Sequence, residues 1–178
     1  MPLFHASFNA PLTNTLAALS LACALLVPAV RAQEAPAAGP MPQLRGSTLD
    51  GRTFDLQTLR GKVVMVVFWS TDCAVCRDKM PELRANAKGW MGQPFELVSV
   101  STDRQRSNAV TYTQLVNATV PMSQRFTTLW NGEPQHRDSF GPTGHLPAAF
   151  LLDKTGRLVE QYHGRIPPEA WDRIADLL

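Results

Sequence analysis

Two cysteines separated by two residues, Cys73 and Cys76, have the spacing that most clearly supports chemistry in this 178-residue sequence. They stand between a run of β-branched residues and an amphipathic stretch, so we expect them in the first turn of a helix, with their sulfurs within disulfide range. Free N–H groups and the helix dipole stabilise a thiolate there. The pattern predicts a dithiol that exchanges with disulfides, in which Cys73 attacks a substrate and Cys76 resolves the mixed disulfide.

Three other uses of this pair fit the sequence less well. A purely structural disulfide would close a loop of about four residues, and a loop this short stabilises the fold only a little through the entropy of the unfolded chain. A zinc site needs two further ligands, and beyond the N-terminal segment the chain offers no other cysteine and only His136, His145 and His163 at unrelated spacings. A peroxidase of the peroxiredoxin kind needs a proline and a threonine upstream, where this chain has Val66 and Ser70.

The elements around the cysteines follow from the hydrophobic pattern. Residues 62–69 (KVVMVVFW) form a continuous β-branched and aromatic run, which predicts a central strand buried on both faces. The next apolar positions recur at intervals of four, three, four and three residues, which predicts one buried helical stripe: Cys76, Met80, Leu83, Ala87 and Trp90. Pro81 lies within this helix and should kink it, because proline removes one backbone hydrogen bond.

The elements before and after this unit have weaker signals. Asp50 and Gly51 predict a two-residue hairpin turn between residues 48–49 and 53–54. Residues 95–100 (FELVSV) predict a second strand, residues 107–117 a helix, and the chain to about Gly144 an irregular stretch.

The C-terminal third predicts a strand pair and a helix. Residues 148–152 and 157–162 flank the short turn DKTG, and an amphipathic helix follows Pro167 and Pro168. Strands and helices alternate early and a hairpin comes late, so the expected fold class is an α/β sandwich.

The N-terminal 32 residues differ from the rest of the chain. Residues 16–30 (LAALSLACALLVPAV) are apolar and are followed by a small-residue site ending at Ala32, the layout of a cleaved signal peptide. The run is shorter than the roughly 20 residues of a spanning helix, so a membrane anchor is the less favoured alternative. Residues 33–42 predict an Ala- and Pro-rich linker and residues 43–178 the folded domain. The net charge is only +2 and the Lys and Arg residues are spread along the chain, so the sequence predicts no nucleic-acid-binding surface.

Residues 60–83 (RGKVVMVVFWSTDCAVCRDKMPEL) and 144–159 (GHLPAAFLLDKTGRLV) resemble the TlpA/ResA-like branch of the thioredoxin superfamily. The resemblance covers most of residues 44–178. It implies a thioredoxin-like three-layer sandwich with an N-terminal β-hairpin and a central insertion at about residues 102–140. It also implies a redox enzyme without a cofactor or bound metal.

The resemblance extends to individual residues and includes departures from the family pattern. It implies that Pro147 is a cis-proline facing the cysteines and that the backbone of Leu146 pairs with a substrate strand. Asp72 replaces the usual tryptophan before the first cysteine, and Lys79 replaces an acidic proton acceptor after the second. We expect Asp72 to cap the helix and Lys79 to extend into water, with opposite effects on the thiolate.

These observations favour a reductase of disulfides in exported proteins, acting as a monomer in the periplasm or otherwise outside the cytoplasm. Resemblance suggests cytochrome c maturation or copper-site assembly as the setting and a membrane protein as the electron donor that recharges the pair. A copper-binding chaperone using Cys73, Cys76 and His145 is the alternative, since thiolate and imidazole suit copper. A non-catalytic binding module of the same fold is a third possibility.

Overall fold

The computed structural model describes residues 41–178, so the predicted signal peptide and most of the predicted linker lie outside the described residues. The described chain forms strands β1 to β8 and helices α1 to α3. The strands are Leu44–Ser47, Thr53–Asp55, Val63–Trp69, Phe95–Ser101, Thr127–Trp130, Arg137–Asp138, Ala148–Leu152 and Leu158–His163. The helices are Ala74–Gly89, Arg106–Asn117 and Glu169–Leu177.

Strand β3 is the centre of a five-stranded sheet with the order β5-β4-β3-β7-β8. The strand pairs in parallel with β4 on one side and antiparallel with β7 on the other, and every one of its residues is buried because a core packs against each face. The prediction of a central strand covered on both faces is therefore confirmed. Antiparallel β8 then closes one side of the sheet beyond β7.

Alternate side chains of β3 enter two separate cores. Val63, Met65, Val67 and Trp69 pack with residues of α1 and α3, and the Trp69 ring lies 4.9 Å from that of Tyr112 in α2. Val64, Val66 and Phe68 pack on the opposite face, with Leu44 of β1 and the 3-10 turn Leu56–Leu59. Three layers result: helices, the five-stranded sheet, and a small sheet of order β2-β1-β6.

The predicted N-terminal hairpin is present, but its connection is longer than the expected two-residue turn. Ser47 pairs with Thr53, which leaves Thr48 to Arg52 as the loop. The Thr48 and Arg52 backbones are joined by a hydrogen bond of 2.8 Å, and the Arg52 N–H also donates to the Thr48 hydroxyl. Gly51 takes the positive φ of +86° that the Asp-Gly pair predicted.

The stretch after α2 is not irregular as the sequence predicted. A 3-10 turn at Met122–Gln124 leads into β5, which pairs in parallel with β4 at the edge of the central sheet, and β6 pairs with β1. Strand β5 has four residues with polar neighbours, so it shows too little periodicity to be recognised. Its Leu129 is fully buried.

The predicted helix after the cysteines is present as α1. It runs through Pro81 without interruption and buries Cys76, Met80 and Leu83, as the apolar spacing indicated. Ala87 and Trp90 pack against the same core from partly buried positions. Among residues 41–178, no helix has the length and apolar character that crossing a bilayer requires.

Replacing Leu129 with alanine tests whether β5 belongs to the core. The side chain is 0% exposed, so Leu129→Ala should lower the free energy of unfolding by about 2–5 kcal/mol through lost burial and a cavity. Leu115→Ala is the matched control, because Leu115 on α2 is 67% exposed and its loss should change stability by less than about 0.5 kcal/mol. Urea unfolding of both variants measures the difference. Equal effects would contradict the placement of β5 in the sheet.

Candidate active site

The cysteine pair lies where the central strand passes into α1. Strand β3 ends at Trp69, a short turn follows, and Cys73 occupies the position immediately before the helix with extended backbone angles (φ −85°, ψ 104°). Cys73 and Cys76 form a disulfide with their Cα atoms 5.2 Å apart. The Cys76 N–H, one of the free amides of the first turn, points to the Cys73 sulfur at 3.0 Å. The site is a redox-active disulfide at a helix N-terminus.

The two sulfur-bearing residues differ in exposure. Cys76 is 1% exposed and belongs to the core beneath α1, whereas Cys73 is partly exposed at its edge. Between them Ala74 and Val75 are exposed, and Val75 has 42% of its surface in solvent. This asymmetry gives a partner molecule access to Cys73 and keeps Cys76 shielded, which agrees with the predicted roles of attacking and resolving thiol.

Asp72 does not cap α1, so that expectation is wrong. The cap is Cys73 itself, whose sulfur accepts the N–H that an aspartate oxygen would otherwise take. The backbone N–H of Asp72 donates to the Ser70 hydroxyl at 3.2 Å, and the residue as a whole is exposed. Asp72 therefore presents a solvated charge beside the site.

Lys79 does not extend into water, so that expectation is also wrong. It lies three residues after Cys76, on the buried face of α1, and is 8% exposed. Its ammonium group meets the Glu82 carboxylate at 2.8 Å, and the indole N–H of Trp171 in α3 also donates to Glu82 at 3.3 Å. The hydrogen bond from Lys79 is the main cause that lowers the pKa of Glu82 from its ordinary value of 4.5. The local ion pair holds Lys79 in the protein.

The peptide bond between Leu146 and Pro147 is cis, as the resemblance implied. Strand β7 begins at the next residue, Ala148, which pairs with Phe68 near the end of β3. Pro147 therefore lies at the sheet edge from which the cysteine turn departs. Leu146 packs against the core cluster that includes Cys76. The role of these two residues in binding a substrate strand stays a prediction.

A buried carboxylate beneath the cysteine turn was missed by the sequence prediction. Asp103 is 3% exposed and accepts hydrogen bonds from the Ser70 hydroxyl (3.0 Å), the Thr71 N–H (2.8 Å) and the Thr71 hydroxyl (2.6 Å) on one oxygen. Its other oxygen accepts from the Ser101 hydroxyl at 2.7 Å. The available signal was positional, because Asp103 follows a strand that runs parallel to β3 and therefore ends at the same sheet edge.

The copper alternative receives no support from the site. His145 is exposed in the loop before Leu146. In the part of the chain that the structure describes, no group of three or more histidine, cysteine, aspartate or glutamate side chains is placed to hold a metal ion.

Comparison with known proteins decides the family, since the model of the AhpC/TSA family matches residues 37–165. The chain belongs to this family. A thiol-disulfide oxidoreductase ResA from Geobacillus thermodenitrificans (strain NG80-2) is 28% identical over 123 residues, covering 69% of this chain and 67% of the relative. The ResA of Bacillus thuringiensis (strain Al Hakam) is also 28% identical, over 65% of this chain and 63% of the relative. The chain thus matches about two thirds of the length of these relatives.

Solved structures share the fold. A thiol:disulfide interchange protein of the thioredoxin family from Chlorobium tepidum TLS has a TM-score of 0.61 at 25% identity, covering 78% of this chain and 94% of that one. A putative thioredoxin from Neisseria meningitidis has a TM-score of 0.63 at 21% identity, covering 78% and 89%, and supports the fold alone. The predicted thioredoxin-like fold and the predicted enzyme class, a thiol-disulfide oxidoreductase, are confirmed.

The lowered pKa of Glu82 predicts a pH dependence of stability. A carboxylate whose pKa is depressed on folding contributes stability above its unfolded pKa, here about 4.5, and loses it as the pH falls through the folded value. In Lys79→Gln the main cause of the depression is gone. We therefore expect Lys79→Gln to be less stable than the unmodified protein at pH 7 and the difference to narrow at pH 3.

Urea unfolding at both pH values measures this effect. Lys88→Gln is the matched control, since Lys88 is an exposed lysine of the same helix and should show no such dependence. A stability difference for Lys79→Gln that stays constant with pH would show that the ion pair does not stabilise the fold.

Proposed function

We propose that the Cys73–Cys76 pair reduces disulfides in exported proteins. The observation that carries the proposal is the disulfide at the N-terminus of α1, with Cys73 partly exposed and Cys76 buried one turn further in. A free helix terminus favours a thiolate at the first cysteine, and the buried neighbour is held ready for the second step.

Thiol-disulfide exchange with the substrate proceeds as two successive displacements at sulfur. In the reduced protein the Cys73 thiolate attacks one sulfur of a substrate disulfide, forming a mixed disulfide and releasing the other substrate sulfur as a thiolate that takes a proton from solvent. Cys76 then loses its proton to solvent and attacks the Cys73 sulfur. The Cys73–Cys76 bond forms, the second substrate thiolate leaves and is protonated, and two electrons have passed to the substrate.

Substrate docking is proposed at the edge where Leu146 and Pro147 meet the cysteine turn. Leu146 would offer backbone groups to an extended segment of the partner, as in strand addition to a sheet. The exposed Ala74 and Val75 would contact apolar side chains on either side of the substrate cysteine. No charged side chain lies between the two cysteines in sequence, so Ala74 and Val75 would favour uncharged side chains at that contact.

A reductase that works outside the cytoplasm must itself be reduced again. A dithiol protein of the membrane is the proposed electron donor, which would attack the Cys73–Cys76 disulfide by the same displacement chemistry. The TlpA/ResA-like resemblance supports cytochrome c maturation or copper-site assembly as the setting. We further propose that the chain acts as a monomer.

Single-cysteine variants test the reaction and its direction. Reduced Cys76→Ser should form a stable mixed disulfide with an exported protein in its oxidised form, because the resolving thiol is missing. Reduced Cys73→Ser is the matched control and should trap little, since the remaining thiol is 1% exposed. Non-reducing electrophoresis with mass spectrometry identifies the adduct. Trapping through Cys76 instead would invert the roles, and no trapping of an oxidised partner by either variant would remove the reductase proposal.

Export is proposed from residues 16–32, and cleavage after Ala32 would leave a mature chain beginning at Gln33. N-terminal sequencing of the protein recovered from cells, after separation of cytoplasm, membrane and exported fractions, measures this. We expect Gln33 as the first residue in the exported fraction. An intact Met1 would contradict cleavage, and a lipid-modified Cys23 would show an anchored protein instead.

A further inference from the structure

Asp103 joins the cysteine turn to the carboxyl ends of two neighbouring strands. Trp69 of β3 pairs with Ser101 of β4, and the Thr102 N–H donates to the Trp69 carbonyl at 2.8 Å, so the two strands end side by side. The Trp130 indole N–H, at the end of β5, donates to the Asp103 carbonyl at 2.7 Å. The Asp103 backbone is therefore held beside the ends of β3 and β5, and its carboxylate contacts the turn that ends in Cys73.

The hydrogen bonds of Asp103 hold that turn, but they come from uncharged donors and so do not compensate the charge of the carboxylate. Three hydroxyls and one amide donate to the carboxylate, and no ion pair involving Asp103 is found within residues 41–178. A buried negative charge is screened less by solvent and salt than an exposed one. The Thr71 N–H that donates to Asp103 lies two residues before Cys73 in sequence.

We propose that Asp103 is a positioning residue that fixes the Cys73 turn and opposes the Cys73 thiolate, making the reduced pair a stronger reductant. The helix N-terminus favours the thiolate and Asp103 disfavours it. The disulfide itself is uncharged, so a less favourable thiolate shifts the equilibrium from dithiol towards disulfide. The inference rests on Cys73 being the attacking thiol of the proposed function.

Other charged groups near the site could also influence the Cys73 thiolate, but each is weakened by exposure or by pairing. Asp72 is exposed, so water screens it. Arg77 donates to the Thr71 carbonyl from an exposed position. Lys79 is buried but already paired with Glu82. Asp103 combines burial with a direct contact to the turn, which makes it the strongest candidate for tuning Cys73.

The test measures thiolate formation at Cys73 in the full chain carrying Cys23→Ser and Cys76→Ser, which leaves one thiol. Asp103→Asn keeps an acceptor for Ser70 and Thr71 and offers its NH₂ to the Ser101 oxygen, so the turn is retained while the charge is lost. Ultraviolet absorbance of the thiolate should show a titration midpoint lower by about one pH unit.

Two further variants separate charge from structure. Asp103→Glu keeps the charge and should titrate near the unmodified midpoint even if the turn shifts. Asp153→Asn is the matched control, because Asp153 also accepts bonds from a turn, the Thr155 N–H and hydroxyl and the Arg157 N–H, at the opposite end of the sheet. Its midpoint should not move. An unchanged midpoint in Asp103→Asn, or an equal decrease in Asp103→Glu or Asp153→Asn, overturns the proposal.

The redox equilibrium with glutathione gives an independent readout in Cys23→Ser protein with both active-site cysteines. At pH values above the Cys73 midpoint, Asp103→Asn should favour the reduced pair by about tenfold relative to the unmodified residue, matching one unit of thiolate pKa. A change in the other direction contradicts the inference.

If the midpoint moves but the protein reduces no model disulfide, the proposed function fails and the inference stands. If the protein reduces disulfides and the midpoint does not move, the inference alone fails.

Discussion

The pairing of β3 on both edges and its burial on both faces is the constraint on which the rest of the structure depends. Each of its apolar side chains fills one of the two cores, and burying a side chain of this size contributes about 1.5–3 kcal/mol. A strand held in this way cannot shift along its axis without exposing one core or the other. The position of Trp69, and so of the turn that presents Cys73, is fixed by the whole sheet.

The mixed direction of the strands explains why distant parts of the chain meet at one edge. Strands β3, β4 and β5 run parallel, so they deliver Ser70, Asp103 and Trp130 to the edge where each strand ends. Strand β7 runs antiparallel to β3 and begins at that edge, which brings Pro147 there. The redox site is thus assembled by topology, with contributions separated by more than 70 positions in sequence.

The sequence predicted well those features that are encoded over many consecutive residues. The continuous apolar run of β3, the apolar spacing of α1 and the two apolar runs of the β7–β8 hairpin each extend over several residues and outweigh local exceptions. Strand β5 carries none, since it is short and takes its identity from pairing with β4. Asp72 and Lys79 were misplaced because residue type suggested a cap and a solvated charge, whereas a neighbouring sulfur took the cap and an ion pair with Glu82 kept Lys79 inside.

The two buried charges near the cysteines lie on different sides of the pair. Lys79 is three residues beyond Cys76 on the same helix face, and Asp103 lies beneath the turn before Cys73. The charge of Lys79 is offset by the Glu82 carboxylate, whereas the Asp103 carboxylate has no cationic partner among residues 41–178 and, on our proposal, disfavours the Cys73 thiolate. Once a mixed disulfide has formed, the Cys73 sulfur carries no charge, so the repulsion from Asp103 is relieved. If Asp103 acts as proposed, return of the mixed disulfide to a free Cys73 thiolate is the disfavoured direction, and attack by Cys76 on the Cys73 sulfur is the favoured one.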